Sequence, residues 1–259
     1  MSPDGTQIAY QRTGTGSPLI LVHGTSASST RWAPIVPALA EHFSVYAVDR
    51  RGRGESGDSD TYAIEREYED IAAVIDEADA PANLLGHSFG AIIALETALR
   101  TQKLRKLILY EPPIPVMGTA GVSDEIINRL QALLTAGDRE QVLITFLREV
   151  VKMPPEELTP YRALPAWPAR IAAAHTLPRE LLGAERYHFK RERFKDLQTP
   201  TLLLLGGDSP PLFKTAIEAL DAAVPDSRVV ILPRQQHIAI DTAPDLFVQE
   251  VLAFLSEPS

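Results

Sequence analysis

The chain of 259 residues is 45% hydrophobic and 23% charged, with 34 acidic against 25 basic side chains and a formal net charge of −9. This composition excludes a disordered tail, and the acidic balance opposes binding to nucleic acid or to anionic membranes. The absence of cysteine excludes disulfide scaffolds, thiol catalysis and cysteine-based zinc sites.

No stretch approaches the ~18 consecutive apolar residues of a membrane span. The opening Met1-Ser2-Pro3-Asp4-Gly5 lacks the basic and apolar regions of a signal peptide, so the cytoplasm is the expected compartment. Thr6–Arg12 alternates and reads as an outer strand. Leu19–Val22, Ser44–Val48, Asn83–Leu85, Leu104–Tyr110, Thr201–Leu205 and Arg228–Leu232 are short, mostly continuous apolar runs, the pattern of strands buried on both faces of a parallel sheet. Between them Ile64, Tyr68, Ile71 and Ile75, and later Phe213, Ile217, Leu220 and Val224, recur at helical spacing. Phe247, Val251, Phe254 and Leu255 give a terminal helix, with Pro244 near its first turn. This alternation predicts an α/β fold with a doubly wound, mostly parallel sheet.

The alternation stops between about Pro112 and Asp196. Helical stripes at Ile126, Ile127, Leu130 and Leu134 and at Val142, Phe146, Leu147 and Val150 are separated by Gly137 and by prolines. The expected organisation is therefore a core of residues 1–111 and 196–259 carrying an all-helical lid of residues 112–195. Lys190-Arg191-Glu192-Arg193, the longest basic cluster, reads as a solvated helix face.

The chemistry concentrates in Gly86-His87-Ser88-Phe89-Gly90, between the strand Asn83–Leu85 and a helical stretch. In such an elbow the serine takes a strained turn and the flanking glycines remove side chains that would clash. Ser88 is thus the candidate nucleophile. The turn His23-Gly24-Thr25, ending the strand Leu19–Val22, can aim a backbone N–H at the oxyanion position, with Phe89 N–H as the second donor. His23 itself reads as a support of that turn. Of the six histidines, His237 lies in the loop after the last strand, on the rim where parallel strands present their carboxyl ends. It is the candidate base.

With Asp4-Gly5, His23-Gly24, the loop Asp49-Arg50-Arg51-Gly52-Arg53-Gly54-Glu55-Ser56, the elbow and His237 assembled, the chain resembles the α/β-hydrolase family over about residues 3–110 and 197–255. The resemblance implies the α/β-hydrolase fold and a triad in the order serine, acid, histidine. The family's usual acid position falls here on Ser209, which cannot orient a charged imidazole. Asp208 beside it is one alternative. The other is Glu111, because some relatives carry the acid at the end of the preceding core strand. Glu111 directly follows the apolar run ending at Tyr110, where a buried carboxylate needs a partner such as histidine.

The expectation is a serine hydrolase cleaving an ester, lactone or similar small-molecule acyl compound, with no metal or cofactor. Trp32, Met117 and Trp167, with Phe89, are candidate apolar walls, which implies a substrate uncharged near its reacting carbonyl. A lyase or carbon–carbon bond hydrolase with the same triad, and a non-catalytic receptor for a small molecule, are the alternatives.

Overall fold

The computed structural model describes residues 1–78, 80–115 and 122–257. Its strands are β1 (Tyr10–Thr13), β2 (Pro18–Val22), β3 (Ser44–Val48), β4 (Ala82–His87), β5 (Leu104–Tyr110), β6 (Thr201–Gly206) and β7 (Ser227–Leu232). They form one sheet in the order β1-β3-β2-β4-β5-β6-β7. Every pairing from β3 to β7 is parallel, while β1 runs antiparallel to β3. The runs of Leu, Ile and Val explain this, since residues of β2, β3 and β4 are buried on both faces.

The helices are α1 (Val36–Ala40), α2 (Ile64–Glu77), α3 (Phe89–Ala98), α4 (Asp124–Thr135), α5 (Arg139–Thr145), α6 (Pro155–Arg162), α7 (Trp167–Ala172), α8 (Leu177–Arg186), α9 (Pro211–Asp221), α10 (Ala239–Thr242) and α11 (Pro244–Ser256). Helices α2, α3 and α9 cover one face of the sheet through Tyr68, Ile92 and Ile217. Helices α1 and α11 cover the other through Leu39, Phe247 and Val251. This is the α/β-hydrolase architecture. No helix among the described residues is long and apolar enough to cross a membrane.

Between β5 and β6 the described elements are all helical, and they bury their own cluster of Leu130, Val142, Phe146, Trp167 and Leu181. Their termini follow local chemistry. Ser123 and Asp138 accept from the backbone N–H groups of Ile126 and Gln141, and Gly137 takes the left-handed φ of 80° after α4. Helix α8 is tied to the sheet layer by ions. Glu180 accepts from Arg50 at 2.7 Å and from Arg53, and Arg50 makes a bidentate pair with Glu67 at 2.7 and 2.6 Å. The loop beginning at Asp49 therefore supplies structural ion pairs.

Two expectations need correction. The outer strand read as Thr6–Arg12 is Tyr10–Thr13. Upstream, Gln7 O accepts from Gly57 N–H and Ala9 N–H donates to Ser56 Oγ, so those residues are held by a loop rather than a ladder. Nor is Lys190–Arg193 simply a solvated helix face. Arg193 clamps the buried carboxylate of Glu96 at 2.6 and 2.7 Å, a partner too distant in sequence for local charge patterning to reveal.

Candidate active site

Registers Val22↔Gly86, His87↔Tyr110 and Tyr110↔Leu204 align the carboxyl ends of β2, β4, β5 and β6. His23, Ser88, Glu111 and Gly206 consequently share one rim. Ser88 sits between β4 and α3 with φ 55° and ψ −127°. Left-handed backbone at a non-glycine residue costs of order 1–3 kcal/mol and must be held by its surroundings. The Ser88 N–H donates to Tyr110 O at 2.9 Å. A Cβ at Gly86 would stand 2.6 Å from Ala91 Cα, and one at Gly90 would stand 2.5 Å from His23 O. Both elbow glycines are therefore required by close backbone approach. The Phe89 N–H, first in α3, has no intrahelical acceptor and is available at the helix N-terminus.

Opposite the elbow, His237 donates from Nδ1 to Glu111 Oε2 at 2.7 Å. Glu111 is fully buried and, like Ser88, has a left-handed φ, here 46°. Its second oxygen accepts from Gly206 N–H at 2.7 Å and from Ser209 Oγ at 2.5 Å. Of the two acids read from the sequence, Glu111 is thus the one joined to His237. Asp208 is exposed and makes no side-chain hydrogen bond among the described residues, its backbone N–H donating to Gln235 O at 2.9 Å. With Nδ1–H committed to a carboxylate, His237 keeps Nε2 as a lone-pair acceptor. That is the tautomer a proton acceptor needs.

Several residues holding this pair escaped the sequence reading. His87 Nε2 donates to the His237 carbonyl at 2.9 Å, and the two rings lie 4.6 Å apart. Phe213 stacks on the opposite side, 4.4 Å from the His237 ring and 14° from parallel. Tyr110 donates its hydroxyl to Gln236 O and accepts from Ala239 N–H at 3.0 Å, bracketing the histidine loop. Ser209 could have been foreseen, since it occupies the position where the acid was sought. Tyr110, His87 and Phe213 carried no signal beyond their apolar or aromatic character. Burial, above all other influences, drives the His87 imidazole well below its ordinary pKa.

The turn after β2 lies against the nucleophile, for a Cβ on Gly24 would stand 2.8 Å from Ser88 Cβ. His23 is fully buried beneath it. Its Nδ1–H donates to Gly24 O at 2.8 Å and its Nε2 accepts from Arg50 N–H at 3.3 Å. Burial, then the charges of Arg50 and Arg53, hold this imidazole well below its usual pKa. A neutral histidine with both nitrogens engaged supports the turn that precedes Thr25.

Of the candidate apolar walls, Trp32, Trp167 and Phe89 lie among the described residues, each packed against identified neighbours. Trp32 is fully buried in the layer beneath α1 and α11 with Leu19, Ile35 and Leu39. Trp167 packs inside the helical cluster and donates from its indole to Glu140 at 3.1 Å. The Phe89 ring is buried beneath the Arg50 guanidinium, 4.8 Å from it. These are packing positions. Met117 falls outside the described residues. Among the described residues no group of three or more His, Asp or Glu side chains is arranged to hold a metal ion.

A profile of the alpha/beta hydrolase family matches residues 19–250. The crystal structure of an alpha/beta hydrolase from Sphaerobacter thermophilus DSM 20745 superposes with a TM-score of 0.87 at 37% identity, over 98% of each chain. A pimeloyl-[acyl-carrier protein] methyl ester esterase from Aeromonas hydrophila is 28% identical over 96% of this chain and 99% of its own. A putative carbamate hydrolase from Azorhizobium caulinodans is 27% identical over 96% and 94%. A 2-hydroxy-6-oxo-6-(2'-aminophenyl)hexa-2,4-dienoic acid hydrolase from Metapseudomonas resinovorans is 25% identical over 97% and 88%.

Proposed function

The chain belongs to the alpha/beta hydrolase family, and from that premise we propose that it is a serine hydrolase cleaving an ester, lactone or similar acyl bond through a covalent acyl-enzyme. The observation that carries this reading is the 2.7 Å bond from His237 Nδ1 to the buried Glu111 carboxylate, beside a serine on a strained elbow. His237 Nε2 takes the Ser88 proton as Oγ attacks the carbonyl carbon. The N–H groups of Thr25 and Phe89 stabilise the resulting oxyanion, one such donor being worth about 2.7–4 kcal/mol. His237 then protonates the departing alkoxide, and the acyl group remains on Ser88. Water, deprotonated by the same imidazole, releases the acid. Glu111 fixes the tautomer and stabilises the imidazolium. The helices between β5 and β6 serve as the lid that sets specificity.

Pre-steady-state hydrolysis of a p-nitrophenyl ester tests the reading. A burst equal to the enzyme concentration supports an acyl-enzyme, and absence of turnover would leave a non-catalytic receptor. The Metapseudomonas resinovorans relative is named for a dienoic acid substrate, which favours carbon–carbon bond hydrolysis as a second reading. Product analysis with a 1,5-diketone beside a simple ester discriminates the two.

A further inference from the structure

Buried arginines in this protein carry carboxylates. Arg50 holds Glu67 and Glu180, Arg51 holds Asp70 and Asp4, and Arg53 holds Glu180. Arg170, on α7, breaks the pattern. Its Nη1 donates to the Ser26 carbonyl at 2.8 Å and to Ser26 Oγ at 3.2 Å, and the Tyr161 ring lies 5.1 Å from its guanidinium carbon. Its Nε is buried with no hydrogen-bond partner, and among the described residues no carboxylate bonds it. The acid in its surroundings, Asp241, is engaged by Arg31 at 2.6 Å, and Arg31 also has a buried Nη2 without a partner. Two guanidiniums therefore share one half-exposed carboxylate. Burial, followed by the repulsion of Arg31, depresses the Arg170 pKa. Arg170 is only partly buried, but a guanidinium withdrawn from water in part and without a bonded anion carries a cost that falls when a planar anion docks on its fork.

The location gives this charge a use. Ser26 has a left-handed φ of 59° and directly follows Thr25, while Gly24 touches the nucleophile. Arg170 is thus bonded to the turn that abuts Ser88, two residues and at most about 7 Å of chain from Gly24. We propose that Arg170 is an anion-binding residue of the substrate site and that the natural acyl compound carries a carboxylate beyond its scissile carbonyl, as a half-ester of a short dicarboxylic acid does. This rests on the serine hydrolase reading above. It adds a distal charge to a substrate read from the sequence as uncharged near its reacting carbonyl.

The test compares p-nitrophenyl hemiglutarate with p-nitrophenyl valerate, of like length but neutral at its far end. The native enzyme should favour the half-ester in kcat/KM by at least about 10-fold, and Arg170→Gln should cut that ratio by about 10- to 100-fold. Arg170→Lys, keeping the charge but not the fork, should retain more of the ratio than Arg170→Gln does. No preference in the native enzyme, or an equal loss on both esters in Arg170→Gln, would overturn the proposal and leave Arg170 as a support of the Ser26 turn. Should Arg170→Gln fail to fold, inhibition of valerate-ester hydrolysis in the native enzyme decides. Glutarate should inhibit at least about 10-fold better than its neutral diamide, and equal inhibition overturns the idea. Turnover of the neutral ester without a preference defeats this inference alone. No turnover of either ester, with no covalent labelling of Ser88, defeats the hydrolase reading and this inference with it.

Discussion

Replacing Glu111 with glutamine tests how the histidine is controlled, and the structure dictates the outcome. Oε1 receives two donors, Gly206 N–H at 2.7 Å and Ser209 Oγ at 2.5 Å, while Oε2 receives His237 Nδ1–H at 2.7 Å. The Ser209 hydroxyl can rotate, but the Gly206 N–H cannot, so an amide nitrogen at Oε1 would meet a fixed donor head-on. The glutamine must therefore place its oxygen there and its NH2 against His237. That NH2 donates to Nδ1 and forces the proton onto Nε2, where no base remains. In the best-studied triad the equivalent amide costs about 10⁴-fold in kcat. We predict that Glu111→Gln lowers kcat by at least about 10²-fold in p-nitrophenyl ester hydrolysis with little change in KM. Shape is conserved, so a shift in Tm beyond a few degrees is not expected. Asp208→Asn, altering an exposed carboxylate, should stay within about 10-fold of the native rate. If Asp208→Asn proves the crippled variant and Glu111→Gln turns over normally, the assignment is wrong.

Three further outcomes follow from packing and charge. Gly24→Ala places a Cβ 2.8 Å from Ser88 Cβ, so the turn must shift and kcat should fall at least about 10²-fold; a native rate would show that the turn donates nothing to the oxyanion. His23 and His87 are held neutral when folded but take protons below pH ~6.5 when unfolded, so stability should fall as pH drops below that value, by about 1.4 kcal/mol per unit for each imidazole. Denaturant titrations at pH 7 and 5.5 measure this. His87→Gln should remove one imidazole's share of the slope, and an unchanged slope would refute the assignment. Glu180→Ala strands buried Arg53 and should cost about 3–5 kcal/mol, whereas Arg66→Ala, breaking an exposed pair with Glu69, should cost under about 1 kcal/mol; equal costs would contradict the anchoring of α8.

What was legible in the sequence had local causes. Continuous apolar runs marked the buried strands because both faces of a parallel sheet exclude water, and the elbow glycines mark a backbone approach that no other residue survives. Glu111 was readable only as one of two acids, from relatives that carry the acid at that strand end and from the need of a buried carboxylate for a partner. What escaped depends on distant pairings. Nothing near Arg193 announces Glu96, and nothing near Trp32 distinguishes a core indole from a pocket wall. The edge strand was misjudged because Gln7 and Ala9 bond to the loop after β3, although their alternation suits a ladder. Ser209 illustrates the intermediate case: its position was identified, but its hydroxyl serves the acid carried by the neighbouring strand.

If His237 activates Ser88 as proposed, Ser88 is the one side chain that a serine-directed reagent should modify. A fluorophosphonate probe followed by intact mass and peptide mapping tests this most directly. We predict one label per native chain, located on Ser88, none on Ser88→Ala, and labelling of His237→Ala slowed at least about 10²-fold. A label on another residue, or equal labelling of Ser88→Ala, would contradict the account.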